Sequence, residues 1–283
     1  MPPRSNPTAR QARLGAELRK LRESAGMAAR EAGALIGGNQ AQISHIEAGR
    51  WGVSAERVRR LASLYSATDS NLVEALCSMA EDRVRGWWAE YRGVLGPGFL
   101  NIAELEHHAS YLRSVQLMNM PGILQTEEYV RALHSSHTPG LPSAEVDVRV
   151  EFRLKRQGIF ERAEPTPFVA LIHEAALRMR YGGRKVAQGQ LQYLLDVSER
   201  PTVTVRVIPF TCEEFIEAGH SVLYAGGVVP QLDTVHLDTP VGGVSVTTSA
   251  EIQRFGSLLD TAERASLSVQ ESRHLIQQIA REL

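Results

Sequence analysis

Sulfur chemistry has almost no place in this chain: 283 residues carry two cysteines. Cys77 and Cys212 stand alone in unlike surroundings, so neither a disulfide framework nor a metal knuckle is available, and both read as structural thiols. Histidines pair at His107-His108 and at His134 with His137, without a cysteine or acidic residue at ligand spacing, so no metal site is expected. No uninterrupted apolar run approaches a membrane span, and the first residues contain no apolar signal core. The expected compartment is the cytoplasm, with no membrane partner. Phosphate-cradling glycine patterns are missing too. Gly182-Gly183, Gly226-Gly227 and Gly242-Gly243 are pairs at turns. There is no Gly-x-Ser-x-Gly elbow and no internal repeat. The expectation is a protein with no cofactor and no catalytic residue.

Charge is scarce in sum and informative in distribution. The net formal charge is −1, which taken alone argues against nucleic acid. Residues 1–70, however, hold 11 Lys and Arg against 6 Asp and Glu, while residues 71–283 hold 20 against 26. A basic N-terminal module joined to an acidic body is the asymmetry expected of a DNA-binding domain attached to something else. The length allows two domains and a sizeable core.

The stretch Gly37-Gly38-Asn39-Gln40-Ala41-Gln42-Ile43-Ser44-His45-Ile46-Glu47-Ala48-Gly49-Arg50 organises the basic module. Gly37-Gly38 closes one helix, Asn39 caps the next, and Gly49 ends it. Ile43 and Ile46 sit i, i+3 and face a core. Gln40, Gln42, Ser44 and His45 point elsewhere and carry hydrogen-bonding groups. Glutamine pairs bidentately with adenine, and such edge readers act when a helix N-terminus enters the major groove. This reads as a recognition helix; a polar surface helix of another small helical domain is the alternative. Upstream, Leu14, Leu18 and Leu21 fall at i, i+4, i+7, Gly26 ends that helix, and a second short helix spans about 28–36. Ser54 then caps a fourth helix with Val58, Leu61, Leu64 and Tyr65. Short helices joined by glycine turns follow the helix-turn-helix plan.

Residues 14–65 resemble the Xre-type helix-turn-helix of phage repressors and their bacterial relatives. The matching pieces are Leu18-Arg19-Lys20-Leu21-Arg22, Gly26-Met27, Gly37 and Gln42-Ile43-Ser44-His45-Ile46-Glu47-Ala48-Gly49-Arg50. The resemblance implies an ion pair between Arg22 and Glu47. It also implies base reading from the start of the third helix, by Gln40, Ala41 and His45 with Gln42 and Ser44 nearby. The family usually opens its second helix with a polar pair that touches phosphate; here Ala28-Ala29 stands in that place. The phosphate contact then falls to Arg30 or Arg50.

Further along, residues 1–12 lack periodic apolar positions and read as a disordered tail. Thr68 or Asp69 opens a helical pattern through Leu72, Val73, Leu76 and Met79 that runs on through Arg83-Val84-Arg85 to Gly86-Trp87-Trp88. The helix-turn-helix domain is expected at 13–80 and a second domain at 81–283. Trp87, Trp88, Tyr91 and Phe99 suit either a ligand pocket or a buried hinge core. A helix is expected at about 102–115, with Leu105, Ala109 and Leu112 inward. Pro121-Gly122 makes a turn, Thr126 caps an acidic-starting helix, and Ser143 begins another. Phe168 to Ile172 reads as a buried strand running into a short helix from His173. After Pro201 the period changes: Val203, Val205 and Val207 alternate with Thr204 and Arg206. Short strands follow near 221–225, 233–238 and 243–247, and Ser249 and Ser268 open the last two helices. The expected fold is mostly α with a smaller β portion, a five-helix Xre-type N-terminal domain followed by an α+β domain.

The second region resembles the Scr1-like, antitoxin-like and WhiJ-like C-terminal domain that accompanies Xre helix-turn-helix domains in actinobacterial regulators. Trp87-Trp88, Leu105-Glu106, Pro121-Gly122-Ile123-Leu124-Gln125-Thr126, Arg153, Arg156-Gln157, Glu174-Ala175-Ala176-Leu177-Arg178 and Val205-Arg206-Val207-Ile208-Pro209-Phe210 carry it. It implies transcriptional regulation beside a small partner protein encoded by an adjacent gene. It supplies no established ligand or reaction.

His173-Glu174 lies at a strand-to-helix junction with Arg178 one turn on. That grouping either binds a polar ligand or nucleotide, or forms a structural ion pair. Glu174, Arg178, Gln125 and Arg156 are the candidate ligand or partner residues. Three functions stay in view: a DNA-binding regulator acting as a homodimer on double-stranded DNA and sensing a ligand or partner; an antitoxin-like binder of a small neighbouring-gene protein; and an enzyme acting on a nucleotide through Glu174.

Overall fold

The computed structural model of the chain describes residues 7–82, 86–137, 140–213, 219–239 and 242–283. Two compact units divide them: Met1–Leu105 with Val228–Leu232, and Glu106–Gly227 with Asp233–Leu283. The sequence places the start of the second domain at residue 81; of the described residues, 81–82 and 86–105 are grouped with the first unit.

The first unit is helical. Its elements are α1 (Ala9–Ser24), α2 (Ala29–Leu35), α3 (Gln40–Glu47), α4 (Ala55–Leu64), α5 (Ser70–Glu81) and the start of α6 (Pro97–His108), with a 3-10 turn at Trp87–Tyr91. The entry of α1 corrects the expected tail. The Thr8 hydroxyl accepts from the Gln11 amide and the Gln11 side chain accepts from the Thr8 amide, so the helix already runs through residues 9–12. Residues 1–6 lie outside the described residues, as do Arg83, Val84 and Arg85 on the expected continuation of α5. Asn39, Ser54 and Asp69 cap α3, α4 and α5 with their side chains. Leu14 and Leu18, Ala32, Ile36, Ile43, Ile46, Val58, Leu61, Leu72 and Leu76 form one core. Each helix buries one stripe, which provides most of its stability because short isolated helices are marginal in water. In the 3-10 turn Trp88 and Tyr91 are buried, and Trp87 packs edge-on against both.

The second unit is α+β. In chain order it contains β1 (Tyr111–Gln116), α7 (Glu127–His137), α8 (Ser143–Lys155), β2 (Phe168–His173), α9 (Glu174–Arg178), α10 (Arg184–Val197) and β3 (Val203–Ile208). Then come β4 (Val222–Gly226), β5 (Thr234–Thr239), β6 (Gly242–Val246), α11 (Ser249–Ala265) and α12 (Val269–Glu282). The strands form one mixed sheet in the order β3-β2-β1-β4-β5-β6. β1, β2 and β3 are parallel, with Val115 opposite Leu171 and Ile172 opposite Val207; β4, β5 and β6 run antiparallel from the other side of β1. The helix expected through 115 is therefore corrected. It ends at His108, and residues 111–116 form a central strand flanked by β2 and β4. The i, i+4, i+7 spacing of Leu105, Ala109 and Leu112 is real in the sequence, but pairing on both sides overrides a local helical preference. α11 covers the sheet face presented by Val115, Leu171, Ile208, Val222 and Val235 through Ile252, Leu259 and Ala262. Among the described residues no helix is long and apolar enough to cross a membrane.

Candidate nucleic-acid interface

The geometry of the N-terminal site starts with two glycines that lack room for a side chain. A Cβ on Gly33 would lie 2.5 Å from the Asn39 carbonyl carbon, so α2 touches the backbone that opens α3. A Cβ on Gly15 would lie 2.4 Å from the Glu47 carbonyl oxygen, so α1 touches the end of α3. Both contacts are far inside van der Waals distance, which restricts these positions to glycine at this helix spacing. Gly37 and Gly49 adopt φ of +75° and +68°, the left-handed conformation that ends α2 and α3.

Electrostatics then fixes α3 against α1. The Arg22 guanidinium donates to both Glu47 oxygens, and its Nη1 donates to the Met27 carbonyl at 2.8 Å. The hydrogen bond to Glu47 raises the Arg22 pKa against the opposing effect of burial. Tyr65 lies in the same neighbourhood, and burial, with Glu47 second, pushes its hydroxyl up to about 12.

Ile43 and Ile46 face the core. Gln40, Ala41 and Ser44 are exposed, on the other side of α3. Arg30 near the start of α2 and Arg50 just beyond α3 are exposed, and neither guanidinium bonds a described residue. By contrast Arg19, Arg59 and Arg60 are committed, to Glu23, Glu74 and the Leu35 carbonyl. Exposed guanidinium groups that bond no described residue, on the helix before α3 and just after it, suit contacts to a phosphate backbone.

Two residues of the expected reading face are placed differently from their neighbours. Gln42 completes a capping box: its amide accepts from the Asn39 backbone N–H at 3.3 Å, while the Asn39 side chain accepts from the Gln42 N–H at 3.0 Å. Its carbonyl oxygen is thus committed to the helix end. His45 is half-buried and stacks on Trp51, with ring centroids 5.1 Å apart and planes 28° apart. Trp51 was missed by the sequence reading. The usable signal was an aromatic residue two positions after the terminating Gly49, where the chain turns back so that the Arg50 and Trp51 amides both donate to the His45 carbonyl.

The candidate residues of the second unit fall into two separate networks. Glu174 is buried, with Oε1 accepting from Arg178 Nε at 2.8 Å and Oε2 accepting from the Phe210 amide at 2.9 Å; Arg178 also reaches Glu282. Both oxygens therefore hold protein groups, joining β2–α9 to the end of β3 and to α12. Gln125 and Arg156 belong elsewhere. The buried Gln125 side chain donates to the Met120 carbonyl at 2.7 Å and accepts from Arg153 at 2.7 Å. Arg156 makes a buried two-pronged pair with Glu106, at 2.7 and 2.5 Å. Gln190 closes the same turn by donating to the Leu124 carbonyl and accepting from the Thr126 amide. Among the described residues no hydrogen bond or ion pair links Glu174 or Arg178 to this second network. No group of three His, Cys, Asp or Glu among the described residues suits a metal ion.

A helix-turn-helix domain family matches residues 13–76, and a family described as Domain of unknown function (DUF5753) matches residues 99–278, more than half of the chain. The chain belongs to the DUF5753 family. No curated relative and no solved structure matches it. In this DUF5753 protein the helix-turn-helix match spans α1 to α5, the elements that hold Arg22, Glu47 and the α3 face. The DUF5753 match covers the mixed sheet, the turn network around Gln125 and Arg156, and Glu174, Arg178 and Phe210 of the other network, whose Glu282 lies beyond it.

Proposed function

We propose that the protein is a sequence-specific, double-stranded-DNA-binding transcriptional regulator of the Xre type, acting in the cytoplasm as a homodimer. The observation that carries this reading is the α3 face itself: Gln40, Ala41 and Ser44 exposed on a helix whose back is held by Ile43, Ile46 and the Arg22–Glu47 pair, with Arg30 and Arg50 exposed and unpaired among the described residues. Gln40 reads a base edge at the helix N-terminus, and the two arginines contact phosphates. The second unit dimerises and receives a small ligand or a small protein encoded by a neighbouring gene. On this reading Glu174 and Arg178 serve the stability of the unit and not catalysis, since their polar atoms are occupied by Phe210 and Glu282.

The test is binding of the full chain to DNA from its own promoter region. Specific protection of a two-fold site, with affinity falling steeply as salt rises, is the expected result. Half-sites spaced about one helical turn apart are expected of a two-fold dimer. Equal affinity for promoter and shuffled DNA at every salt concentration would refute sequence-specific reading.

A further inference from the structure

The Pro121-Gly122-Ile123-Leu124-Gln125-Thr126 turn holds two guanidinium groups of unequal standing. A Cβ on Gly122 would lie 3.1 Å from Arg156 Nη2 and 3.4 Å from Arg153 Nη1, so both groups converge over that bare Cα. Arg156 is buried and neutralised by its two bonds to Glu106. Among the described residues Arg153 has no carboxylate within ion-pair distance. Its one hydrogen bond goes to a neutral amide oxygen, Gln125 Oε1. That leaves its Nε, its Nη2 and one Nη1 hydrogen without an acceptor among the described residues. Arg153 is partly exposed, and none of its nitrogens is among the sealed, unsatisfied polar atoms, so these donors open onto solvent-accessible space.

The site is electrostatically short of negative charge. Burial, and Arg156 beside it, hold the Arg153 pKa down to about 10, and Asp238 and Glu106 offset this only in part. Asp238 carries an exposed carboxylate and lies 3.6 Å from His236 Nε2. Its pKa is lowered first by the neighbouring His236 and then by Arg153 and Arg156. It influences the arginines from a distance and bonds neither.

A half-sheltered cation with an unused donor fork matches the geometry of a planar or tetrahedral oxyanion. We propose that Arg153, set on the Gly122 turn beside the Arg156–Glu106 pair, is the recognition group of an anion site in the second unit, taking the carboxylate or phosphate of a small ligand. Gln125 orients the Arg153 fork, because its own amide is pinned by the Met120 carbonyl. Gln157, in the 3-10 turn Arg156–Phe160 that follows α8, donates to the Gln125 carbonyl at 2.8 Å and holds the same turn. This deepens the reading of the second unit as the receiving part of a regulator, and rests on it.

The test uses the full chain, with inorganic phosphate and succinate as probes in thermal melts at ionic strength matched by sodium chloride. Wild type should gain stability saturably with one or both probes. A response to phosphate alone marks a phosphorylated ligand, and a response to succinate alone a carboxylate ligand. Arg153→Gln should bind at least tenfold more weakly. If that variant fails to fold, Arg153→Lys keeps the charge and loses the fork, and should also bind at least tenfold more weakly. A wild type that responds only as it does to sodium chloride, or variants that respond like wild type, would overturn the site. Promoter binding is measured on the same samples. Loss of the anion response with promoter binding intact removes this site alone, whereas loss of promoter specificity in a Gln40 variant bears only on the DNA reading.

Discussion

Arg22 and Glu47 form a two-pronged ion pair 25 positions apart in the chain, Nε to Oε1 at 2.6 Å and Nη2 to Oε2 at 2.9 Å. Each side chain is 9% exposed. With its remaining nitrogen on the Met27 carbonyl, Arg22 ties α1, the turn after it, and the end of α3. One arginine thereby sets the angle at which the α3 face is presented.

Removing Glu47 strands that arginine. Breaking one side of a buried pair costs about 3–5 kcal/mol, because the other charge stays buried without its partner. Glu47→Ala should therefore lower the denaturation midpoint of the N-terminal unit, read by denaturant titration of the full chain. An unchanged midpoint would show that the pair contributes nothing to the packing of α3.

The two glycine classes should respond differently to alanine. At Gly33 a Cβ would meet backbone at 2.5 Å, whereas at Gly37, with φ of +75°, nothing lies within 4 Å. Gly33→Ala forces α2 and α3 apart, at about 1–3 kcal/mol, and should weaken DNA binding more than it weakens the fold. Gly37→Ala carries backbone strain of about 1–2 kcal/mol and should leave DNA binding largely intact. Equal loss of DNA affinity in both variants would count against the α2–α3 contact as the positioning element.

Base reading and phosphate anchoring separate cleanly in binding data. Gln40→Ala should relax preference at one base position per half-site, losing about 1–3 kcal/mol of discrimination with little change in salt dependence. Arg50→Ala should weaken binding to all sequences alike and reduce the salt slope by about one. A Gln40→Ala protein that keeps wild-type preferences across a panel of shuffled operators would remove α3 as the reading element.

Glu174 offers a different contrast. Its two oxygens hold Arg178 and the Phe210 amide, so Glu174→Gln should destabilise the second unit by about 1–3 kcal/mol, the cost of a buried polar group left poorly paired. Thermal melts of the variant check this. Unaltered melting would reopen a ligand role for that carboxylate.

Much of the N-terminal unit can be read from residues alone, because its signals are local. Gly26, Gly37 and Gly49 adopt the left-handed conformation that ends helices, and Asn39, Ser54 and Asp69 cap the helices that follow. Capping and helical periodicity act within a turn or two of chain, so they survive translation into a linear pattern. The alternation of Val203, Val205 and Val207 is legible as β3 for the same reason.

Long-range contacts settled what remained. Leu112 continues the helical spacing of Leu105 and Ala109, yet β2 and β4 pair with residues 111–116 from more than 50 positions away, and satisfying backbone groups on both sides outweighs local preference. His45 and Gln42 look equally free in the linear pattern. Folding stacks one on Trp51 and turns the other back onto the start of its own helix. The need for glycine at Gly15 and Gly33 is invisible without the backbone that presses on each from another helix. Arg153 and Arg156 are three positions apart and similar in kind. Only the packing around Gly122 gives one of them Glu106 and leaves the other with an amide, because pairing of buried charge depends on which side chains the fold brings within reach.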